Sequence, residues 1–272
     1  MRKALPFVVV SAALAVALLL SRAGGPSRES LLPLSRTLAE QEKGVDRAAG
    51  AAFPLSADEE RRIGEDLDRG LFVEPALGTP RVLTAARWRE FGSTAASSPL
   101  VARFRGRYVF RTTPEGGVNA FALPGGFVYA TEPLLQKLGD DGDALLFVLG
   151  HEIGHVELGH CADAYRLRAG ASDPVRAVLG GVLSVGRIFA ALHFSSAQEL
   201  EADAFSVRLM RSLKRDPTAG LRVFDALGLP ADSQTKRGPG EVAVEGMTDY
   251  FRTHPGSWER RAALAREIGV LQ

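Results

Sequence analysis

Hydrophobic and polar positions follow a helical period from Ser56 onward. Ser56 stands before the acidic run Asp58 to Glu60, and Ile63, Leu67 and Leu71 then recur at four-residue spacing. A serine N-cap, acids in the first turn and this spacing predict an amphipathic helix. We therefore place the start of the folded domain, residues 56–272, at this helix.

A period of two replaces the helical period in the middle of the chain. Residues 107–112 alternate and predict a strand, and two short β runs within residues 118–131 flank Pro124-Gly125-Gly126, which predicts a hairpin. The proline that ends the first run indicates an edge strand. Helical patterns are found at residues 83–91, 133–138 and 145–160, after Ser195, at 216–226 and at the end of the chain. The expected fold class is α+β and mainly helical, with one small sheet.

The most informative stretch is His151-Glu152-Ile153-Gly154-His155, which follows the apolar run Leu145 to Leu149. Residues four apart share a helix face, so His151 and His155 can bind a single zinc ion, while Glu152 can act as general base on a water beside it. The apolar run predicts a buried, rigid helix. Alternatively, these residues are polar groups satisfied within the core.

A catalytic zinc site needs a third protein ligand, and the helix after Ser195 offers one. Glu199 and Glu201 point in opposite directions on a helix, and Asp203 shares a face with Glu199. Because metal-bound histidines usually donate their second N–H to a carboxylate, we assign Glu199 as ligand and Asp203 as that acceptor. Glu201 is expected to be solvated or to face a lid. The alternative is an ordinary charged surface helix.

Four further residues near this chemistry have less specific signals. His160 lies about 140° from His155 on a continuous helix, which argues against a third histidine ligand. Leu158 and Cys161 stand where a metzincin needs glycine and histidine, which excludes that class. Cys161, the only cysteine, is expected to be a small buried residue. His254 precedes a proline and could point into a cleft, or could be a surface or core histidine.

The amino terminus indicates export. Arg2 and Lys3 precede an apolar run at 4–20, so residues 1–26 are expected to be a signal peptide or an inner-membrane anchor, followed by a linker at 27–55. The apolar segment 175–192 contains two arginines and is expected to form core or lid helices, with membrane contact as the alternative. A net charge of +1 gives no electrostatic support for binding nucleic acid.

Four motifs in order resemble the gluzincin metallopeptidase family of HtpX, BepA and the CAAX prenyl proteases, within which the chain looks closer to the periplasmic, BepA-like and mitochondrial quality-control branch. They are Asn119-Ala120-Phe121-Ala122-Leu123-Pro124-Gly125-Gly126, His151-Glu152-x-x-His155, Glu199-x-x-Ala202-Asp203, and Thr253-His254-Pro255 with Arg260. The resemblance implies a mainly helical zincin-type domain that holds one zinc ion through His151, His155 and Glu199. It also implies that His254 lies near the metal, as an auxiliary ligand or transition-state donor, and that Arg260 and Asp203 support the site.

The sequence thus predicts a zinc metalloendopeptidase on the periplasmic side of the bacterial cell envelope. The edge strand, with Asn119, Ala120, Phe121 and Ala122, would hold an extended polypeptide by backbone hydrogen bonds, which favours unfolded or misassembled substrates. An ordinary hairpin without a ligand is the alternative for these four residues. For the protein, the alternative is a latent or non-enzymatic, chaperone-like binding module whose zinc site is plugged. The sequence does not determine the oligomeric state.

Overall fold

The computed structural model of the chain describes residues 55–72, 80–114, 116–169, 194–228, 254 and 258–270. Its helices are α1 (Ala57–Leu71), α2 (Pro80–Ala96), α3 (Glu132–Leu138), α4 (Gly142–Glu157), α5 (His160–Ala169), α6 (Ser196–Ser212), α7 (Ala219–Ala226) and α8 (Trp258–Ile268). Its strands are β1 (Val109–Thr113), β2 (Ala120–Leu123) and β3 (Phe127–Thr131). This architecture confirms the predicted mainly helical α+β class. The predicted signal or anchor at 1–26, the linker up to residue 54 and the apolar segment 175–192 lie outside the described residues.

The three strands form one sheet in the order β1-β3-β2. Central β3 pairs in parallel with β1, with Val109 opposite Phe127. It pairs antiparallel with β2, with Phe121 opposite Tyr129. The predicted hairpin is therefore confirmed, and β2 lies at an edge of the sheet as the proline indicated. Sequence reasoning did not predict the parallel pairing of β1 with β3, because β2 and the hairpin turn lie between these two strands in the sequence.

Glycines in the hairpin turn and in the helix that packs on it allow a close contact between the two. Gly125 and Gly126 have positive φ angles of 79° and 89°, a region that other residues adopt only with strain. Helix α1 also lies against this turn, so that a Cβ built on Gly64 would stand only 2.0 Å from the carbonyl oxygen of Pro124. Arg61 fixes the contact by donating a hydrogen bond of 2.8 Å to the carbonyl oxygen of Gly125. The first helix of the domain is thereby attached to the sheet.

The predicted start of α1 is confirmed in detail. The Ser56 hydroxyl accepts a hydrogen bond from the backbone N–H of Glu59, and the Glu59 carboxylate accepts one from the backbone N–H of Ser56. This reciprocal pair satisfies two backbone donors that a helix start otherwise leaves without partners. Leu67 and Leu71, on the face that the spacing predicted, are buried.

Helix α4 lies in the centre of the fold, in contact with β2 and with α6. Asp141 caps it by accepting a hydrogen bond of 3.0 Å from the N–H of Ala144. Every residue from Ala144 to Val156 is buried, and each large apolar side chain among them contributes about 1.5–3 kcal/mol by leaving water. Burial on all sides is what the apolar run predicted, and it holds the helix in one orientation.

Element boundaries differ modestly from the sequence predictions. The helix expected at 83–91 extends from Pro80 to Ala96, and the strand expected at 107–112 is Val109–Thr113. The helix expected from residue 216 begins at Ala219, because the side chain of Asp216 instead accepts hydrogen bonds from Thr218 in a tight turn. Among the described residues, no helix combines the length and the apolar character needed to cross a membrane.

Candidate metal centre

Helix α4 brings two imidazoles together. His151 and His155 are one helical turn apart, both are fully buried, and their Nε2 atoms lie 3.1 Å from each other. Two lone-pair nitrogens this close in the core repel unless a proton or a cation lies between them. The helix period alone therefore brings the two histidines together on one face, where they could share a metal ion.

Helix α6 supplies the carboxylate. Glu199 is fully buried, with one oxygen 3.4 Å from Nε2 of His151 and the other 3.4 Å from Nε2 of His155. Its position in the first turn of α6 is fixed by Ser195, which forms a capping box with Gln198. The residue chosen from the sequence thus lies at the histidine pair.

His254 completes the cluster from a distant part of the sequence. Its side chain is buried, and Nδ1 lies 3.1 Å from Glu199 and 3.3 Å from Nε2 of His151. His151, His155, Glu199 and His254 each offer one ligand atom, and these four atoms lie within 4.8 Å of one another. The alternative of a surface histidine at 254 is therefore wrong.

The spacing and chemistry of this cluster fit zinc. Ligand atoms about 2.0–2.1 Å from a tetrahedral zinc ion stand about 3.3–3.4 Å apart, and the contacts among these four side chains measure 3.1 to 3.4 Å. Imidazole and carboxylate donors together are typical zinc ligands. This arrangement could hold one metal ion.

The residues of the cluster differ in their protonation. Burial holds the pKa of His155 well below its usual range, so that the ring is neutral. Burial would raise the pKa of Glu199, but electrostatic interactions with His254 and with the Arg260 guanidinium hold it well below its usual range. Burial opposes protonation of His151, yet its hydrogen bonds to Asp203 and Glu199 raise its pKa to about 9. A metal ion must therefore displace a proton from His151, which makes its binding depend on pH.

The carboxylate of Asp203 supports His151 from behind. Its Oδ1 atom lies 2.9 Å from Nδ1 of His151, the ring nitrogen that faces away from the other ligand atoms. A carboxylate in this place fixes the tautomer of the imidazole and increases its basicity. Burial would raise the pKa of Asp203, but the Arg260 guanidinium holds it below its usual value, so that Asp203 stays an acceptor.

Arg260 joins the separate parts of the centre and is 1% exposed. Its guanidinium contacts both oxygens of Asp203 at 2.9 Å, lies 2.6 Å from an oxygen of Glu199 and donates to the backbone oxygen of His254 at 3.2 Å. One cation from α8 therefore holds α6 and the residue that carries the fourth candidate ligand. The resemblance implied such a supporting position for Arg260, and the geometry places it there.

Glu152 is close to the cluster without being one of its four ligand residues. It is fully buried, neither carboxylate oxygen has a hydrogen bond within the described part of the chain, and Nε2 of His254 lies 3.4 Å from one oxygen. Burial raises the pKa of this carboxyl group. A buried carboxylate with free lone pairs and a raised pKa can accept a proton from a water molecule and return it.

Sequence reasoning missed the surroundings of His155. Helix α4 ends at Glu157, Gly159 takes a positive φ of 81°, and a new helix begins at His160. His160 is therefore not on the continuous helix that we assumed, and its Nδ1 lies 3.1 Å from Nδ1 of His155. Glu201, expected to be solvated or to face a lid, lies 3.2 Å from Nε2 of His160. Glycine as a helix terminator was the sequence signal that could have revealed this turn.

An aromatic ring also covers the centre. Phe194 is buried and stacks on His155 with ring centroids 3.8 Å apart and an interplanar angle of 19°. No period or motif in the sequence indicated this contact, because Phe194 precedes its helix. Cys161 is buried as predicted, with Sγ 3.6 Å from the carbonyl oxygen of Ala122.

Comparison with known proteins decides the family. Residues 94–268, more than half of the chain, match the family described as Peptidase family M48. The chain belongs to peptidase family M48. This result confirms the resemblance to gluzincin metallopeptidases and the predicted class of enzyme, a metallopeptidase.

The relatives of this M48 chain described below are all named as metalloproteases or metalloendopeptidases. The chain is 28% identical to Mitochondrial metalloendopeptidase OMA1 of Arabidopsis thaliana over 165 residues. This alignment covers 57% of the chain and 30% of the relative. The chain is 28% identical over 155 residues to Metalloprotease LoiP of Escherichia coli, with 53% of the chain and 56% of the relative covered. Metalloprotease YcaL of the same bacterium is 28% identical over 164 residues, with 56% and 58% covered. The matched region thus spans less than two thirds of each of these relatives.

Proposed function

We propose that this M48 peptidase is a zinc-dependent endopeptidase of the bacterial cell envelope, acting on unfolded or misassembled polypeptides. The observation that carries the proposal is the buried cluster of His151, His155 and Glu199, with Glu152 beside it. In this proposal the three residues hold the single zinc ion. Envelope substrates are inferred from the export signal that the sequence predicts and from the position of β2 at an edge of the sheet.

The chemistry follows from the placement of the side chains. When bound at such a site, zinc lowers the pKa of a water molecule and polarises a peptide carbonyl. Glu152 takes the proton of the attacking water and delivers it to the leaving amine, so that no covalent intermediate with the protein forms. Asp203 and Arg260 keep His151 and Glu199 in the orientation that metal binding requires.

The edge strand supports binding of an extended substrate. The carbonyl oxygen of Asn119 accepts from the N–H of Thr131, so antiparallel alternation directs the backbone groups of Ala120 and Ala122 away from β3. The carbonyl oxygen of Ala120 lies 3.3 Å from Nε2 of His254, at the metal cluster. A peptide paired with this edge would therefore pass beside the metal. The backbone N–H and C=O of Phe121 point the other way, towards β3. Selection by backbone hydrogen bonds favours chains without stable tertiary structure.

A second candidate is a latent form of the same protein. All four residues of β2 are buried, and His254 contacts both the edge carbonyl of Ala120 and the cluster. With His254 as a fourth ligand the centre would be closed, whereas catalytic zinc sites keep an open position. In this form His254 must move before substrate binds, and the protein would act as a binding module until then.

Cleavage of reduced, unfolded casein by the purified full-length protein tests the proposal. We expect cleavage that a chelator abolishes and that added zinc restores, and slower cleavage of a stably folded protein. Failure to cleave by both wild type and His254→Ala, each with one zinc ion bound, would contradict the endopeptidase. Cleavage by His254→Ala alone would establish the latent form. Recovery of the full chain from the cytosolic fraction of a bacterial host would contradict the envelope location.

A further inference from the structure

The far side of His155 carries two polar residues that the proposed mechanism does not use. Nδ1 of His155 lies 3.1 Å from Nδ1 of His160, and Nε2 of His160 lies 3.2 Å from a carboxylate oxygen of Glu201. His155 is fully buried and His160 is 4% exposed, whereas the Glu201 side chain is 35% exposed. The three groups therefore run in a line from the cluster to the surface.

We propose that His160 and Glu201 form a positioning relay that holds His155 in its metal-binding tautomer and orientation. This inference rests on the proposed metal site, because it assigns His155 Nε2 to the metal. Neither His160 nor Glu201 is a ligand in this proposal, and the metal cluster contains neither residue.

The direction of each hydrogen bond follows from the ring of His155. Its Nε2 faces His151 and Glu199, at 3.1 and 3.4 Å, and must keep a free lone pair to bind a metal. The neutral ring then carries its proton on Nδ1 and donates it to Nδ1 of His160. His160 must accept at that atom, so its own proton is on Nε2 and is donated to Glu201. Only one arrangement of protons satisfies all three groups.

The two metal-binding histidines of α4 are thus supported in different ways. His151 donates directly to Asp203, which is buried and paired with Arg260. His155 reaches its carboxylate through one intervening imidazole. The turn at Gly159 makes this possible, because its positive φ of 81° ends α4 and places His160 beneath His155. Carboxylates from a single helix, α6, therefore support both histidines.

The affinity of the full-length protein for zinc, measured by competition with a chelator, tests the relay. Removing the hydrogen-bond partner of a metal-binding histidine typically weakens metal affinity by roughly 10- to 100-fold. We expect a weakening of that size for His160→Ala, a partial recovery for His160→Asn, which restores an acceptor near Nδ1, and a smaller weakening for Glu201→Gln. The matched control is Glu267→Gln, because Glu267 is 39% exposed and pairs with Arg211 on the surface. Its affinity should equal that of wild type.

The outcomes separate this inference from the proposed function. If wild type binds no zinc, the metal site fails and the relay with it. If wild type binds one zinc ion and His160→Ala binds it equally tightly, the relay alone is wrong. Imidazole ¹⁵N NMR of the zinc-bound wild type gives a second test that needs no variant to fold. The spectrum should show that Nε2 of His160 is protonated and that Nδ1 is unprotonated. The opposite tautomer would overturn the proposal.

Discussion

Arg260 and Asp203 form a buried, two-point ion pair, with both guanidinium-to-carboxylate distances at 2.9 Å. Because Asp203 also accepts from His151, the pair links the closing helix α8 to the metal-binding face of α4. Charges this deeply buried persist only when each is matched by a partner with good geometry. Asp203 and Glu199 can therefore both remain ionised because the buried Arg260 guanidinium contacts each of them.

Replacement of Arg260 by alanine should strongly destabilise the domain. The change leaves Asp203 and Glu199 buried without their cation, and breaking one side of a buried pair costs about 3–5 kcal/mol. Chemical denaturation of the metal-free protein measures this loss. Arg260→Lys should recover only part of the stability, since an ammonium cannot reproduce the planar two-point contact.

Arg69→Ala is the control for that experiment. Arg69 pairs with Asp66 at 3.0 Å, but its side chain is 76% exposed, and exposed pairs contribute about 0–1 kcal/mol. Equal losses for the two arginine variants would refute the supporting role of Arg260.

Gly150 permits the close approach of α4 to α6. A Cβ at this position would stand 2.6 Å from Oγ and 3.2 Å from Cα of Ser206, whose hydroxyl donates to the carbonyl oxygen of Phe147. Gly150→Ala must separate the helices or break that bond, and such overpacking costs about 1–3 kcal/mol. Because His151 and Glu199 lie on these two helices, zinc affinity should fall as well.

A glycine one turn along α4 provides the graded comparison. A Cβ on Gly154 would be 3.2 Å from two side-chain atoms of Phe205, a less severe contact. The midpoint of thermal unfolding and the affinity for zinc should therefore both be lowest for Gly150→Ala, intermediate for Gly154→Ala and highest for wild type. The reverse order would show that this helix contact does not limit the site.

The N-cap of α4 should make stability depend on pH. Hydrogen bonds from Arg222, followed by those from backbone N–H groups, hold the pKa of Asp141 below its usual value. A lowered folded-state pKa means that the stabilisation is complete above the unfolded value of about 3.9 and is lost as the pH falls through the folded value. Asp141→Ala should cost about 1 kcal/mol at neutral pH through loss of the cap.

Asp141→Asn separates the cap from the charge. Asparagine keeps a capping oxygen and loses only an exposed ion pair, so that it should cost less than alanine at neutral pH. Urea midpoints of wild type and Asp141→Asn should begin to converge below about pH 3.9 and should coincide only below the lower folded-state pKa of Asp141. A difference that is constant with pH would contradict a role for the ionised carboxylate.

The parts of the molecule that the sequence predicted depend on local rules. The caps at Ser56 and Ser195 and the Pro-Gly-Gly turn each depend on a few adjacent residues. The four-residue spacing of His151 and His155 likewise fixes their common face without knowledge of the fold. Glu199 could be chosen because Asp203 stands one turn further along the same helix.

The remaining features depend on contacts between distant segments. The position of His254 in the cluster could be expected only from family resemblance, since more than 50 residues separate it from Glu199. The His160 to Glu201 contact was missed because one glycine ends a helix that we treated as continuous. The stacking of Phe194 on His155 has no local sequence signal at all.

The measurement that most directly tests the central claim is hydrolysis of unfolded polypeptide by wild type and Glu152→Gln at equal zinc content. Glutamine preserves the shape of Glu152 but cannot take up the proton, so the rate should fall by roughly 10²- to 10⁴-fold while zinc stays bound. Glu267→Gln should cleave like wild type. Cleavage by Glu152→Gln at the wild-type rate, with the same amount of zinc, would contradict the mechanism.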